Sequence, residues 1–198
     1  RWVRDNHARL GLGKADANAG FVKDSFRFFS KAWLLIQQAS ATYTPGLEAI
    51  YYNARNGLTL QNTVLLAPLV ETDDPMTVRR KLAVTATYLD IWMMRRKVNY
   101  IRTGYSAIYY AMHLLNRKIR RKPLDQLVQI LGDELASDEV TVQGSATQKW
   151  RKGLAGFGLN QHSKAYIYHL LGRVTAFTEL HSGRGDNFPS LMDRTTKN

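Results

Sequence analysis

Apolar residues in this chain recur every three or four positions in segment after segment, and no stretch alternates convincingly with period two. That pattern predicts helix after helix, hence an all-α, multi-helix bundle, and no internal repeat is visible. Trp2 to Leu10 fits a short helix, and Gly11, Gly13 and Gly20 then break the pattern, so residues 1–20 read as a connector. From Val22 to Tyr43, Phe26, Phe29, Trp33 and Ile36 fall on one side of a helix and predict its core face. Thr44-Pro45-Gly46 stops it. Thr44 as cap and Pro45 as first residue can start the next helix, Leu47 to Ala54, which ends at an Asn56-Gly57 turn. Leu60 to Leu69 is read as a short helix, because Pro68 argues against a central strand.

Asp74 followed by Pro75 is a helix-start signal for the longest segment, Met76 to Tyr100. Val78, Leu82, Ala86, Leu89, Met93 and Tyr100 share one side, and Val84, Tyr88, Ile91 and Val98 lie nearly opposite. A helix apolar on two sides packs between neighbours, so this one is expected at the centre of the bundle. Arg96 projects onto the first apolar side, where an unpaired guanidinium is costly, and is therefore expected in a structural ion pair.

Ser106 is the expected cap of the next helix, Ala107 to Arg121, with Ile108, Ala111, Met112, Leu115 and Ile119 inward. Its outer face reads Tyr109, Tyr110, His113, Arg117, Arg120 and Arg121. After Pro123, residues Leu124, Leu127, Val128, Leu131 and Leu135 mark an amphipathic helix. Val140 to Ala155 reads as loop with a helical turn near Trp150. Asn160 is the expected cap of Gln161 to Ser182, whose buried face is predicted as Ile167, Leu170, Leu171, Val174 and Phe177, with Gly183 closing it. The bundle domain spans residues 21–183, and 184–198 read as a linker towards a further, C-terminal domain.

Charge changes this picture. The chain of 198 residues has 28 basic and 16 acidic side chains, and the stretch from Arg79 to Lys122 holds twelve of the former and one of the latter, Asp90. The remaining 16 basic and 15 acidic residues nearly cancel. A cationic potential confined to one helical hairpin suits a phosphate-bearing partner, and arginines interleaved with aromatics can also stack on bases. The candidate nucleic-acid-binding residues are Arg95, Lys97, Arg102, Tyr110, His113, Arg117, Arg120 and Arg121. A solvated face of a bundle helix is the alternative.

Catalytic chemistry is harder to find. There is no cysteine, hence no disulfide and no thiolate site, which fits a cytoplasmic setting. No apolar run approaches the roughly 20 residues that span a bilayer, so no membrane partner is expected. Among His7, His113, His162, His169 and His181 no pair has the spacing that puts two ligands on one helical turn, and no metal site is expected. Gly153-Leu154-Ala155-Gly156-Phe157-Gly158 is not a dinucleotide fingerprint. Asp133, Glu134, Asp138 and Glu139 read as a hydrated helix end, so no catalytic residue and no cofactor is assigned.

The order of several short runs resembles a known family. These runs are Arg1-Trp2-Val3-Arg4-Asp5-Asn6, Leu65-Leu66-Ala67-Pro68-Leu69, Tyr88-Leu89-Asp90-Ile91-Trp92-Met93-Met94-Arg95-Arg96 and Leu170-Leu171-Gly172-Arg173. Together they resemble the helical middle of the GmrSD-type, modification-dependent (type IV) restriction endonucleases. The resemblance implies a flanking ParB-like domain that handles nucleotide and a His-Asn-His nuclease domain that follows. It also implies a parent protein that is an NTP-dependent endonuclease defending against phage. The Asp-Gly-Gln-Gln-Arg and Glu-His-Ile motifs of those domains do not occur here. Phe188-Pro189-Ser190-Leu191-Met192-Asp193-Arg194 is similar to the run that precedes the nuclease motif, so the chain reads as an excised piece of a longer protein.

Two functions therefore compete. One is a non-catalytic linking domain that contacts DNA through the phosphate backbone. The other is a scaffold whose basic hairpin docks onto an acidic surface of a flanking domain of the same polypeptide. An enzyme in its own right requires a pocket that the sequence does not reveal.

Overall fold

A computed structural model describes residues 1–185 and 187–192. Its helices are α1 (Trp2–Asp5), α2 (Ala15–Gly20), α3 (Arg27–Ala41), α4 (Glu48–Arg55), α5 (Gln61–Leu66), α6 (Pro75–Val98), α7 (Tyr105–Ile119), α8 (Leu124–Ala136), α9 (Lys164–His181) and α10 (Phe188–Met192). Between α8 and α9 sit a small antiparallel hairpin, β1 (Val140–Thr141) with β2 (Gly144–Ser145), and a 3-10 turn at Gly153–Gly156. The fold is an all-α bundle around one long helix.

That helix is α6. Asp74 caps it as the sequence predicts, its carboxylate accepting from the backbone N–H of Met76 and Thr77 at 2.8 and 3.0 Å, with Pro75 in the first turn. The first half of α6 packs Val78, Leu82 and Ala86 with Ala32, Ile36 and Ala39 of α3, Ile50 of α4 and Leu65 of α5. The second half packs Tyr88, Leu89, Trp92 and Met93 with Val64 of α5, Ile108, Met112, Leu115 and Ile119 of α7, and Leu127 and Leu131 of α8. One helix thus serves two cores, which is why it is apolar on two sides. Tyr100, expected on the first of those sides, lies beyond the helix and is exposed.

Polar cross-links fix the layers. Lys81 is buried, donating to Asp73 at 2.8 Å and to the Pro68 carbonyl at 3.0 Å, so it ties α6 to the loop that precedes it. Buried Asn53 of α4 donates to the Ala86 carbonyl at 3.0 Å, and buried Gln61 of α5 donates to the Ile50 carbonyl at 3.1 Å.

Several sequence readings are corrected. Gly20 does not stop the chain: α2 runs through a π-helical stretch, Phe21–Phe26, directly into α3, so the expected boundary near residue 20 falls inside a continuous helix. Phe26 and Trp33 are 61% and 41% exposed, because α3 turns its small residues, Ala32 and Ala39, towards the bundle. Leu47, not Thr44, precedes α4, and Gly104, not Ser106, precedes α7. Val128 of α8 is exposed beside the buried pair Leu127 and Leu131.

The largest correction concerns α9. Its buried side is Tyr166, His169, Gly172 and Ala176, whereas Leu171, Val174 and Phe177 are exposed. Ala176 packs with Tyr51 and Phe188 in a third small core. Arg173 ties α9 to α6 through a bidentate pair with Asp90 at 2.7 and 2.8 Å. Asn160 caps the turn before α9, accepting from the N–H of His162 and Ser163 at 2.9 and 3.0 Å. Gly183, at φ +73°, closes α9. The run similar to a pre-nuclease segment is described only as far as Met192; Asp193 and Arg194 lie outside the described residues.

Candidate nucleic-acid interface

α7 carries the site because its two sides differ in chemistry. Ile108, Met112, Leu115 and Ile119 are buried at helical spacing, which turns Tyr110, His113, Arg117 and Arg120 outward. Tyr110 is 69% exposed. His113, Arg117, Arg120 and Arg121 line a groove of about 410 Å³ between α7, α5 and α3, floored by Phe29, Leu66 and Leu69. The chain leaves α7 through Arg121, which is left-handed at φ +55° and donates its backbone N–H to the Ala67 carbonyl at 2.9 Å.

The cations of the hairpin are not equivalent. Arg96 pairs with Asp138 at 2.8 Å and lies over the Trp92 ring at 3.6 Å. Arg95 donates to the Leu135 carbonyl at 2.6 Å and comes within 3.8 Å of the same carboxylate. Asp138 is consequently buried and shared rather than part of a hydrated helix end. Lys118 pairs with Glu134 at 2.5 Å, and Lys81 with Asp73. Arg121 pairs with Glu71 at 2.8 Å. Backbone N–H donation to Glu71, together with Arg121 and Ser25, outweighs its partial burial and holds its carboxyl below the usual range. Five of the twelve basic side chains are therefore neutralised by acids from outside the hairpin.

Of the candidate residues, Arg95 and Arg121 already have acidic partners, although Arg121 keeps about half its side-chain surface exposed. The side chains of His113, Arg117 and Arg120 make no ion pair or hydrogen bond among the described residues and face solvent together with Tyr110. Lys97 and Arg102 do not join them. They line a different cavity at the opposite end of α7, about 20 Å away by the rise of a 15-residue helix.

Family models, curated proteins and solved structures give no match to the chain. The site is therefore read from its own geometry. No group of three or more potential metal ligands occurs among the described residues, and no helix among them is long and apolar enough to cross a membrane.

Sequence reasoning missed the ties that place these elements. Asp90 and Arg173 belong to two of the runs that carry the family resemblance, and in space they form one ion pair. His169 is buried among Tyr52, Tyr166 and Phe188 with neither ring nitrogen fully hydrogen-bonded, the Tyr52 backbone lying near enough only to offset burial slightly. Burial, helped by the nearby Arg173 charge, lowers its pKa to about 4, so the ring is neutral at pH 7. Asn99 is a hub: its side chain donates to the Arg95 and Thr141 carbonyls at 2.8 Å and accepts from Gly153 N–H at 3.2 Å. That links the end of α6 to the hairpin and the 3-10 turn. The sequence reading, which ran the helix on to Tyr100, gave no sign of that role.

Proposed function

We propose that this chain is a cytoplasmic, non-catalytic helical module that contacts nucleic-acid phosphates through the outer face of α7. In this reading it serves as the DNA-contacting middle domain of a modification-dependent restriction endonuclease of the GmrSD type, a family suggested by its sequence runs alone. The observation that carries the nucleic-acid reading is the grouping of His113, Arg117 and Arg120, without acidic partners, beside exposed Tyr110. Guanidinium donors meet phosphate oxygens, and an exposed phenol adds a stacking surface.

The experiment is a salt titration of duplex DNA binding. Arg117→Ala with Arg120→Ala removes two phosphate contacts and should reduce the slope of log affinity against log salt by about 1.8. An unchanged slope, or no salt-dependent binding by wild type, sinks the proposal. The apolar floor of the groove, Phe29, Leu66 and Leu69, favours docking to a flanking domain as the second reading, and that reading would then take over.

A further inference from the structure

The second cavity, about 530 Å³, lies between the connection that follows α6, the first turn of α7 and the segment that leads into α9. It falls within the size range of small-molecule sites. One wall is aromatic: the Tyr100 and Phe157 ring centroids are 5.4 Å apart, and Phe157 lies 6.0 Å from Tyr166. This wall is held in place before any ligand arrives. Tyr100 is left-handed at φ +54°, and its hydroxyl accepts from Gly158 N–H at 3.1 Å and from Asn160 Nδ2 at 3.0 Å. Buried Ser163 donates to the Gly158 carbonyl at 2.7 Å.

The opposite rim is cationic. Lys97 and Arg102 line it, joined by His162, and no carboxylate among the described residues does. Neither the Lys97 nor the Arg102 side chain has an ion pair or hydrogen bond among the described residues. Lys97 is half-buried, and that loss of water pulls its pKa below the usual lysine value. An ammonium desolvated without a counter-charge gains from an incoming anion, and aromatic edges and faces gain from a planar ring.

We propose that this cavity binds a nucleotide, with its base against the Tyr100–Phe157–Tyr166 wall and its phosphate on Lys97 and Arg102. The site stands independently of the α7 groove, which is lined by different residues. The same chemistry is offered by a free nucleotide and by one nucleotide of a single strand.

Isothermal titration of the chain with AMP, adenosine, inorganic phosphate and a short single-stranded DNA separates these cases. AMP should bind more tightly than adenosine or phosphate alone. Arg102→Ala, whose side chain is exposed and whose melting curve should match wild type, should weaken AMP at least about tenfold, as should Lys97→Ala. Phe157→Leu should weaken AMP while leaving phosphate binding unchanged. Displacement of AMP by the single strand assigns the site to strand nucleotides, and its absence assigns it to the free ligand. No saturable AMP binding, phosphate binding as tightly as AMP, or wild-type affinity in Arg102→Ala would each overturn the proposal. Because duplex binding is read separately, through its salt slope, failure here and failure of the α7 interface are distinguishable.

Discussion

Replacing Arg173 tests what positions α9. Its guanidinium meets the Asp90 carboxylate through two bonds of 2.7 and 2.8 Å, with side-chain exposures of 23% and 13%, and sits 4.1 Å from the Tyr52 ring centroid. Two unit charges about 4 Å apart at an effective dielectric near 20 attract by about 4 kcal/mol, most of which is offset by taking both out of water. Removing one partner forfeits the attraction but leaves the other charge partly desolvated. Loss of a buried pair costs about 3–5 kcal/mol, and the residual exposure reduces that to roughly 2–4, with about 1 more from the ring contact. Arg173→Met, which keeps the stem, should therefore destabilise the fold by about 3–5 kcal/mol in urea unfolding followed by circular dichroism. A double-mutant cycle with Asp90→Asn should return a coupling of about 2 kcal/mol. A coupling under about 0.5 kcal/mol would mean that the pair behaves as an exposed one and that apolar packing alone holds α9.

Two further predictions concern buried charge and protonation. His169 has a folded pKa of about 4 against an ordinary value near 6.5, so the unfolded chain takes up the proton first. Its contribution is fully present above pH 6.5 and is lost as pH falls towards 4, by up to roughly 3 kcal/mol, and His169→Leu should flatten that part of the stability–pH profile; an unchanged profile refutes the assignment. Lys81→Ala strands the Asp73 carboxylate, and should cost about 3–5 kcal/mol in the same unfolding assay, while Lys81→Met with Asp73→Asn should recover most of it. Recovery of nothing would mean that the loop contacts, not the charges, carry the energy.

The helical segments and the central place of α6 were legible because its capping signal and two apolar sides are local properties of the chain. Which side of a helix faces inward was less legible. In α3 and α9 the bulkier apolar residues, Trp33, Leu171 and Phe177, stay exposed while Ala32, Ala39, Gly172 and Ala176 are buried. Hydrophobicity alone ranks those positions the wrong way round; in α3, which packs against α4 and α5, close helix approach rewards small size. The hairpin at Val140–Ser145 was illegible because two-residue strands carry no period. At the candidate interface, the outward direction of Tyr110, His113 and Arg117 followed from the helical repeat. The neutralisation of Arg95 and Arg121 depends on Leu135, Asp138 and Glu71, residues separated from them by 40 or more positions or contributed by other elements.

The shared carboxylate of Asp138 gives the surface charge a logic of subtraction. Basic residues are spread along α6 and α7, and it is four acids on neighbouring elements, Glu71, Asp73, Glu134 and Asp138, that silence part of that spread. The electropositive outline seen by a partner is thus drawn by where the acids are placed. A lineage could move or reshape that outline by relocating a single carboxylate, without gaining or losing any arginine.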